Sequence, residues 1–502
     1  MIKIALIIIT WYTQTSVQNV INLAQGKIRG MPRDGYIFYG GIPYTSITGP
    51  TGRFRRGGIA PTWKEVRASS EAHCLPSSPI EECLKLDVSA PGGEALPVLV
   101  WVAGGTGMYN PTKLAKEGLI VVTVRHRLGP IGFLCSSEDK IPGNAGLKDV
   151  VMALRWVRDN IVAFNGNPNK VVVAGQSFGA AMAESLLVTH MAKGLFHGVI
   201  LQSGTVLAPW AFNYDAEDRA KFLRMQFNES RPVTTFAKAG IANLAAIAEE
   251  LNLPYMPFGI CMENPLKNEE MLMSASPLDL ITKGKVTRVP IMMGYTTNEA
   301  YIFSSVLKDA NVVRKMSKEM TFLLPVELQT SKRAMPQIVK KVNEMYFEDN
   351  MTMPSVFSYH KDAYFLSHIH RSLRCHASSG SPVYYYQFSY LGNVGVDEEL
   401  DVPKFGAAHS DELAYLFSEK GRDLDGDDGI VQGHLITLWS NFVKHLNPSG
   451  ASKQITWEPV NFHDIKVLNI NIELNFIEFP YKKEAQMWED VYDKYYYEKI
   501  RS

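Results

Sequence analysis

Gly175-Gln176-Ser177-Phe178-Gly179 constrains this chain more than any other stretch. It follows an apolar run, Val171 to Ala174, and precedes good helix formers, Ala180 to Leu187. In a G-x-S-x-G turn between strand and helix, the glycines let the backbone bend where a side chain would obstruct it, and the serine hydroxyl projects into open space. The helix beginning there aims its first N–H groups and its positive dipole end at the serine. Such a turn suits a place where negative charge develops.

The surrounding pattern predicts an α/β fold. Val98 to Val102, Leu119 to Val124, Val171 to Ala174, Val199 to Gln202, Pro290 to Gly294 and Val383 to Phe388 are short apolar runs of the kind that form strands buried on both faces. Between the second and third, Leu147, Val150, Val151, Leu154, Val157, Ile161 and Phe164 recur at helical spacing. Strands alternating with helices predict a doubly wound, mostly parallel sheet flanked by helices, with functional groups on loops beyond the strand ends.

Charge excludes some partners. The 502 residues carry 51 Lys and Arg against 51 Asp and Glu, so nothing favours nucleic acid or an anionic membrane. Met1-Ile2-Lys3 followed by the apolar run Ile4 to Trp11 reads as a signal peptide of residues 1–16. No later stretch is long and apolar enough to span a bilayer, so secretion is expected, with residues 17–502 forming one domain because no linker or repeat divides them. The sequons Asn228-Glu229-Ser230 and Asn350-Met351-Thr352 are candidate glycosylation sites, whereas proline blocks Asn110-Pro111-Thr112 and Asn447-Pro448-Ser449. His368-Ile369-His370 and the acidic run Asp423 to Asp428 are poor metal sites. The two histidines of the first point to different helix faces, and in the second Asp428 and His434 stand where a calcium loop needs glycine and glutamate. The acidic run reads as a solvated loop. No metal or cofactor is expected.

Further landmarks are Gly26-Lys27-Ile28-Arg29-Gly30, Gly41-Ile42-Pro43-Tyr44, Glu82-Cys83-Leu84-Lys85-Leu86, Arg127-Leu128-Gly129-Pro130-Ile131-Gly132-Phe133-Leu134, Asn144-Ala145-Gly146-Leu147, Gly166-Asn167-Pro168-Asn169, Gln202-Ser203-Gly204 and Leu438-Trp439-Ser440-Asn441-Phe442. Together with the serine turn they resemble the type-B carboxylesterase and cholinesterase family of α/β-hydrolases over nearly the whole chain, most closely secreted insect carboxylesterases. By that resemblance the acid lies in Gly294-Tyr295-Thr296-Thr297-Asn298-Glu299, at Glu299. The histidine lies in Gly406-Ala407-Ala408-His409-Ser410-Asp411-Glu412-Leu413, at His409. Alone, Glu299 reads as a first-turn glutamate beside capping threonines and His409 as a loop histidine; the order Ser, Glu, His is the one this fold uses. The resemblance also implies that Ser203 hydrogen-bonds near the acid and that Cys74 pairs with Cys83. Cys135, Cys261 and Cys375 have no partner assignable from sequence.

The chemistry explains the residue types. A serine hydroxyl is a poor nucleophile until a neutral imidazole takes its proton, and a carboxylate must hold the other ring nitrogen. The resemblance places an oxyanion hole at the backbone N–H groups of Gly105, Thr106 and Phe178. Here the chain departs from the family pattern: Ala103-Gly104-Gly105-Thr106 replaces H-G-G-G, Phe178 replaces a small residue and is expected to crowd the acyl space, and Ala300 replaces the glycine after the acid. Leu75 to Glu82 holds no aromatic residue, so no π-face there binds a quaternary ammonium and a choline ester is not expected. The resemblance therefore implies a secreted carboxylic ester hydrolase acting on uncharged lipophilic esters. A slow-turnover sequestering protein and a non-catalytic adhesion protein are the alternatives, the latter weakened because the serine and histidine are both present.

Overall fold

The serine turn sits at the end of the central strand of an eleven-stranded sheet. The computed structural model describes residues 19–47, 49–71, 74, 80–104, 109–138, 140–226, 258–267, 269–307, 324–325, 328, 333–348, 350–395, 406–417, 423–450 and 455–497. In chain order the strands are β1 (Met31–Arg33), β2 (Tyr36–Pro43), β3 (Lys85–Ala90), β4 (Leu96–Val102), β5 (Ile120–Val124), β6 (Gly166–Gln176), β7 (Gly198–Gln202), β8 (Ile291–Thr296), β9 (Val383–Phe388), β10 (Lys466–Ile470) and β11 (Asn475–Glu478). They lie in the order β11-β10-β9-β8-β7-β6-β4-β5-β3-β2-β1. From β10 through β5 the pairing is parallel, and the strands outside this block pair antiparallel. Residues 20–23, 26–29 and 67–68 form a separate small sheet.

All six apolar runs fall on sheet strands. The sheet is buried on both faces, which explains their near-continuous apolar character. Val98, Val100, Val102, Val171 and Val173 pack into one core, and Leu99, Trp101, Val172 and Ala174 into the other. The helical pattern after β5 becomes α1 (Ala145–Asn160), continued by a 3-10 turn over Ile161–Phe164. Helices α2 (Phe178–Ser185), α3 (Ser367–Ser378) and α5 (Lys482–Tyr492) contribute to the first core, and α4 (Gly426–His445) covers the other face. The strand order reverses between β4 and β6. Such a switch point opens a crevice beyond the carboxyl ends of the strands, and the segments bearing Gly104 and Ser177 leave the sheet there.

Buried polar ties hold the long connections. Arg127 donates from Nε to Asp149 of α1 at 2.7 Å and from Nη1 to the carbonyl of Arg53 at 2.8 Å, and Arg127 and Asp149 are both almost fully buried. Removing either partner would strand a buried charge. Cys74 and Cys83 are disulfide-bonded, as the resemblance implies, and their small loop contributes roughly 2 to 3 kcal/mol on the chain-entropy view. Cys135 pairs with Cys261 across 126 residues, which sequence spacing alone could not indicate. The side chain of Asn144 aligns that second pair, donating to the Cys261 carbonyl at 2.8 Å and accepting from its N–H at 3.0 Å. Cys375 is unpaired and partly buried.

The acidic run is a loop only up to Asp425. Gly426 begins α4, where Asp427 and Asp428 suit the positive helix end, and Asp428 is buried, accepting from Tyr415 Oη at 2.8 Å and Asn393 Nδ2 at 3.0 Å. Asn350 is exposed; Asn228 and residues 1–16 lie outside the described residues. Among those described, no helix is long and apolar enough to cross a membrane, and no cluster of three or more His, Cys, Asp or Glu side chains is arranged to hold a metal.

His368 and His370 lie buried on α3, facing different partners. His368 Nε2 meets the Ala363 carbonyl at 3.0 Å and Tyr492 Oη at 3.1 Å, while the ring of His370 stacks on Phe479 at 4.3 Å. Burial pushes both imidazoles down to about 3. A depressed folded value means that their contribution to stability is complete above the unfolded value of 6.5 and is lost as pH falls toward 3, by up to about 1.4 kcal/mol per pH unit for each ring. Denaturant midpoints should therefore fall from pH 6.5 to pH 4 in wild type and fall less in His370→Phe; an equal fall in both would show that His370 does not contribute.

Candidate active site

The turn at Ser177 is built from backbones too close together for side chains. A Cβ on Gly175 would lie 2.3 Å from the carbonyl carbon of Gly179, one on Gly179 2.4 Å from the Val102 carbonyl oxygen, one on Gly104 2.5 Å from the Gln176 carbonyl oxygen, and one on Gly204 2.2 Å from the Ser177 carbonyl oxygen. Real Cβ atoms do not approach so near, so these four positions admit only glycine. Ser177 itself adopts φ 57° and ψ −124°, a region that is strained for a residue with a side chain. Its N–H donates to the Gln202 carbonyl at 2.8 Å, and its carbonyl accepts from Ala180 and Ala181 at 3.0 and 3.1 Å. Locked in this way, Ser177 stays partly exposed although residues 171–176 and 178–180 are buried, and it caps the positive end of α2.

Glu299 and His409 come together across 110 residues. A parallel bridge pairs Asn298 with Ala408, and Asn298 donates to the Ala407 carbonyl at 2.8 Å, so the next residue on each segment is brought alongside the other. His409 Nδ1 is 2.5 Å from Glu299 Oε2, with both side chains buried. The other carboxylate oxygen, Oε1, accepts from the N–H of Thr296 at 2.8 Å, which fixes its orientation. Phe365 packs on the imidazole at 5.1 Å between centroids.

The other ring nitrogen is partnered by a residue that the sequence reading did not single out. Gln176 Nε2 lies 3.0 Å from His409 Nε2 and 2.8 Å from Ser410 Oγ. The structure thus joins His409 to Glu299 and to the residue before Ser177, and not to the Ser177 hydroxyl. Glu412, three residues beyond the histidine, is a second unanticipated member. It is fully buried and accepts from Gln202 Nε2 at 3.0 Å, and Gln202 Oε1 in turn accepts from Trp439 Nε1 at 2.8 Å. Burial, followed by the nearby Glu299 charge, pushes the Glu412 carboxyl up to about 7. Its one sequence signal is the spacing His-x-x-Glu.

Some expectations change. Ser203 is buried with φ 52°, and its N–H donates to the Gly294 carbonyl at 2.9 Å, but its hydroxyl has no hydrogen-bond partner among the described residues, so it does not bond the acid. The ring of Phe178 does not project into open acyl space: it is buried, edge-on to Phe133 at 5.0 Å, because the first core has room for it beneath α2. Ala300 is buried on the 3-10 turn Glu299–Phe303, where its methyl is accommodated. Gly105 and Thr106 lie outside the described residues.

Comparison with known proteins agrees with this architecture. The Carboxylesterase family profile matches residues 17–488, and the chain belongs to that family. It is 27% identical to juvenile hormone esterase of Heliothis virescens, covering 88% of each chain, and 27% identical to esterase B1 of Culex pipiens, covering 91% of this chain and 94% of the relative. Among solved structures it is similar to juvenile hormone esterase from Manduca sexta with OTFP covalently attached, at a TM-score of 0.85 and 25% identity, covering 94% of this chain and 99% of that one. The fold is that of an α/β-hydrolase and the protein is a carboxylesterase.

Phe178→Ala would remove a fully buried ring from a packed core. It should lower stability by about 3 to 5 kcal/mol, read as a fall in unfolding free energy by denaturant titration. A loss below about 1 kcal/mol, accompanied by broader acyl-chain tolerance, would return the ring to the acyl space.

Proposed function

We propose that this carboxylesterase is secreted and hydrolyses uncharged lipophilic esters through a Ser177-His409-Glu299 triad. The observation that carries the reading is the buried 2.5 Å contact between His409 and Glu299, placed beside the strained turn that bears Ser177. In the proposed reaction His409 Nε2 takes the Ser177 proton as Oγ attacks the ester carbonyl. Glu299 holds the Nδ1 proton and stabilises the imidazolium that forms. The N–H of Phe178, at the start of α2, with those of Gly105 and Thr106, would receive the oxyanion. His409 then passes its proton to the departing alcohol, and water repeats the sequence to release the acid. A covalent adduct on the Manduca sexta relative fits a nucleophilic route.

Secretion is supported by the apolar leader, two disulfides suited to an oxidising compartment and the exposed sequon at Asn350. Residues 17–502 then form the mature domain. Relatives named as juvenile hormone esterase and pyrethroid hydrolase favour lipophilic substrates, as does the absence of aromatic residues from Leu75 to Glu82.

Ser177→Ala should lose labelling by a fluorophosphonate and lower kcat on a short p-nitrophenyl ester by at least about 1000-fold, with unchanged circular dichroism. Labelling at the wild-type rate would exclude Ser177 as the nucleophile. His409→Gln should abolish turnover, because no imidazole is left to take the Ser177 proton.

A second reading, slow turnover with sequestration, is favoured by Thr106. A β-branched residue where relatives carry glycine restricts the backbone that must aim an oxyanion donor. If that donor is lost, turnover falls about 100- to 1000-fold. Thr106→Gly should then raise kcat more than it changes KM, because the missing bond forms in the transition state. Wild-type turnover of small esters at hundreds per second, or an unchanged kcat in Thr106→Gly, would sink the sequestering reading.

A further inference from the structure

The nitrogen of His409 that must accept the serine proton already has a partner. The carboxamide of Gln176 is buried at the end of β6, with its nitrogen 3.0 Å from His409 Nε2 and 2.8 Å from Ser410 Oγ. Glu299 sits 2.5 Å from Nδ1, so the neutral ring carries its proton on Nδ1 and presents only a lone pair at Nε2. An amide N–H satisfies that lone pair. An ionised carboxylate cannot, because it donates nothing, and it would be satisfied only by a protonated ring.

The charged surroundings make this choice consequential. Among the described residues, the ionisable groups facing His409 are Glu299, from the turn after β8, and Glu412, from its own loop, whose carboxyl is pushed up to about 7 and carries its full charge only above that. Asp411 is turned back to accept from the Ala408 N–H at 2.7 Å. Phe365 packs on the imidazole with an uncharged ring. Negative charge near an imidazole favours its protonated form, which cannot act as a base. A donor aimed at Nε2 works in the other direction.

We infer that Gln176 is a positioning residue that holds the His409 ring beside Glu299 with Nε2 unprotonated and available to the adjacent Ser177. This inference rests on the triad reading above. Ser410 Oγ gives the amide nitrogen an alternative acceptor, so the amide stays hydrogen-bonded when Nε2 turns to the serine. Once His409 has taken the proton, Nε2–H and the amide N–H oppose each other. The protonated ring is then directed away from Gln176, toward the departing alcohol.

The test is the pH dependence of kcat/KM on a short p-nitrophenyl ester, using the full chain from pH 5 to 9. Gln176→Glu should move the acid limb upward by about one pH unit or more. Gln176→Met, of similar length but without donor or charge, should move it in the same direction by about 0.3 unit, and this variant decides alone if the glutamate form does not fold. The upward shift in Gln176→Glu should persist when Glu412→Gln is added, because it arises at position 176. A residue that only supported the fold would change the denaturant midpoint and leave the limb in place. Limbs that stay put or move downward in both variants overturn the inference. Fluorophosphonate labelling of Ser177→Ala separates the two failures: a labelled mutant overturns the triad reading and this inference with it, whereas an unlabelled mutant with an unmoved limb overturns this inference alone.

Discussion

The close approach of three backbone segments around Ser177, at four glycines, is the constraint on which the site depends. Gly104, Gly175, Gly179 and Gly204 each face a main-chain atom within 2.2 to 2.5 Å of where a Cβ would stand, and backbone cannot yield as a flexible side chain can. The resulting bend holds Ser177 in a conformation that costs on the order of 1 to 3 kcal/mol. That strain persists because the N–H and carbonyl of Ser177 are bonded to β7 and α2 respectively. A substitution at any of the four glycines would therefore misplace the hydroxyl without touching its chemistry.

Behind the turn, buried carboxylates are housed in two different ways. Glu184, near the end of α2, accepts from Thr205 Oγ1 at 2.6 Å, the Val206 N–H at 2.7 Å and Ser372 Oγ at 2.5 Å, and contacts His376 Nε2 at 2.9 Å. Burial pushes its carboxyl up, but the hydrogen bonds, led by His376, outweigh burial and hold it below the usual range. Glu184 thereby ties α2 to the loop after β7 and to α3. Among the described residues Glu412 has only one such donor from a side chain, Gln202, and it faces Glu299, so its carboxyl moves the opposite way. The contrast between the two glutamates arises from the number of donors and the sign of the nearest charge.

Much of this architecture was legible in the residues themselves. Continuous apolar runs such as Val98 to Val102 and Val171 to Ala174 could only be strands covered on both faces, and the 3.6-residue spacing from Leu147 to Phe164 indicated α1 and its 3-10 extension. Glu299 and His409, which the structure brings into contact, were singled out only through landmarks flanking them, since neither carries a local signal of its own. The Asp423 to Asp428 run was misjudged beyond Asp425. Its acidic side chains suit open solvent as well as a helix start, and the partners that Asp428 meets, Tyr415 and Asn393, lie 13 and 35 residues away.

Short-range pattern thus determined the strands, the serine turn and the glycines that permit it, because these follow from periodicity and from the steric needs of adjacent residues. Tertiary structure decided the rest. It paired Cys135 with Cys261, sent the Phe178 ring into the core, left the Ser203 hydroxyl without a partner and set Gln176 and Glu412 around His409. Apart from Glu412, three residues from His409, those outcomes depend on which groups meet across tens to hundreds of residues, and on how much water their meeting excludes, quantities that no local spacing encodes.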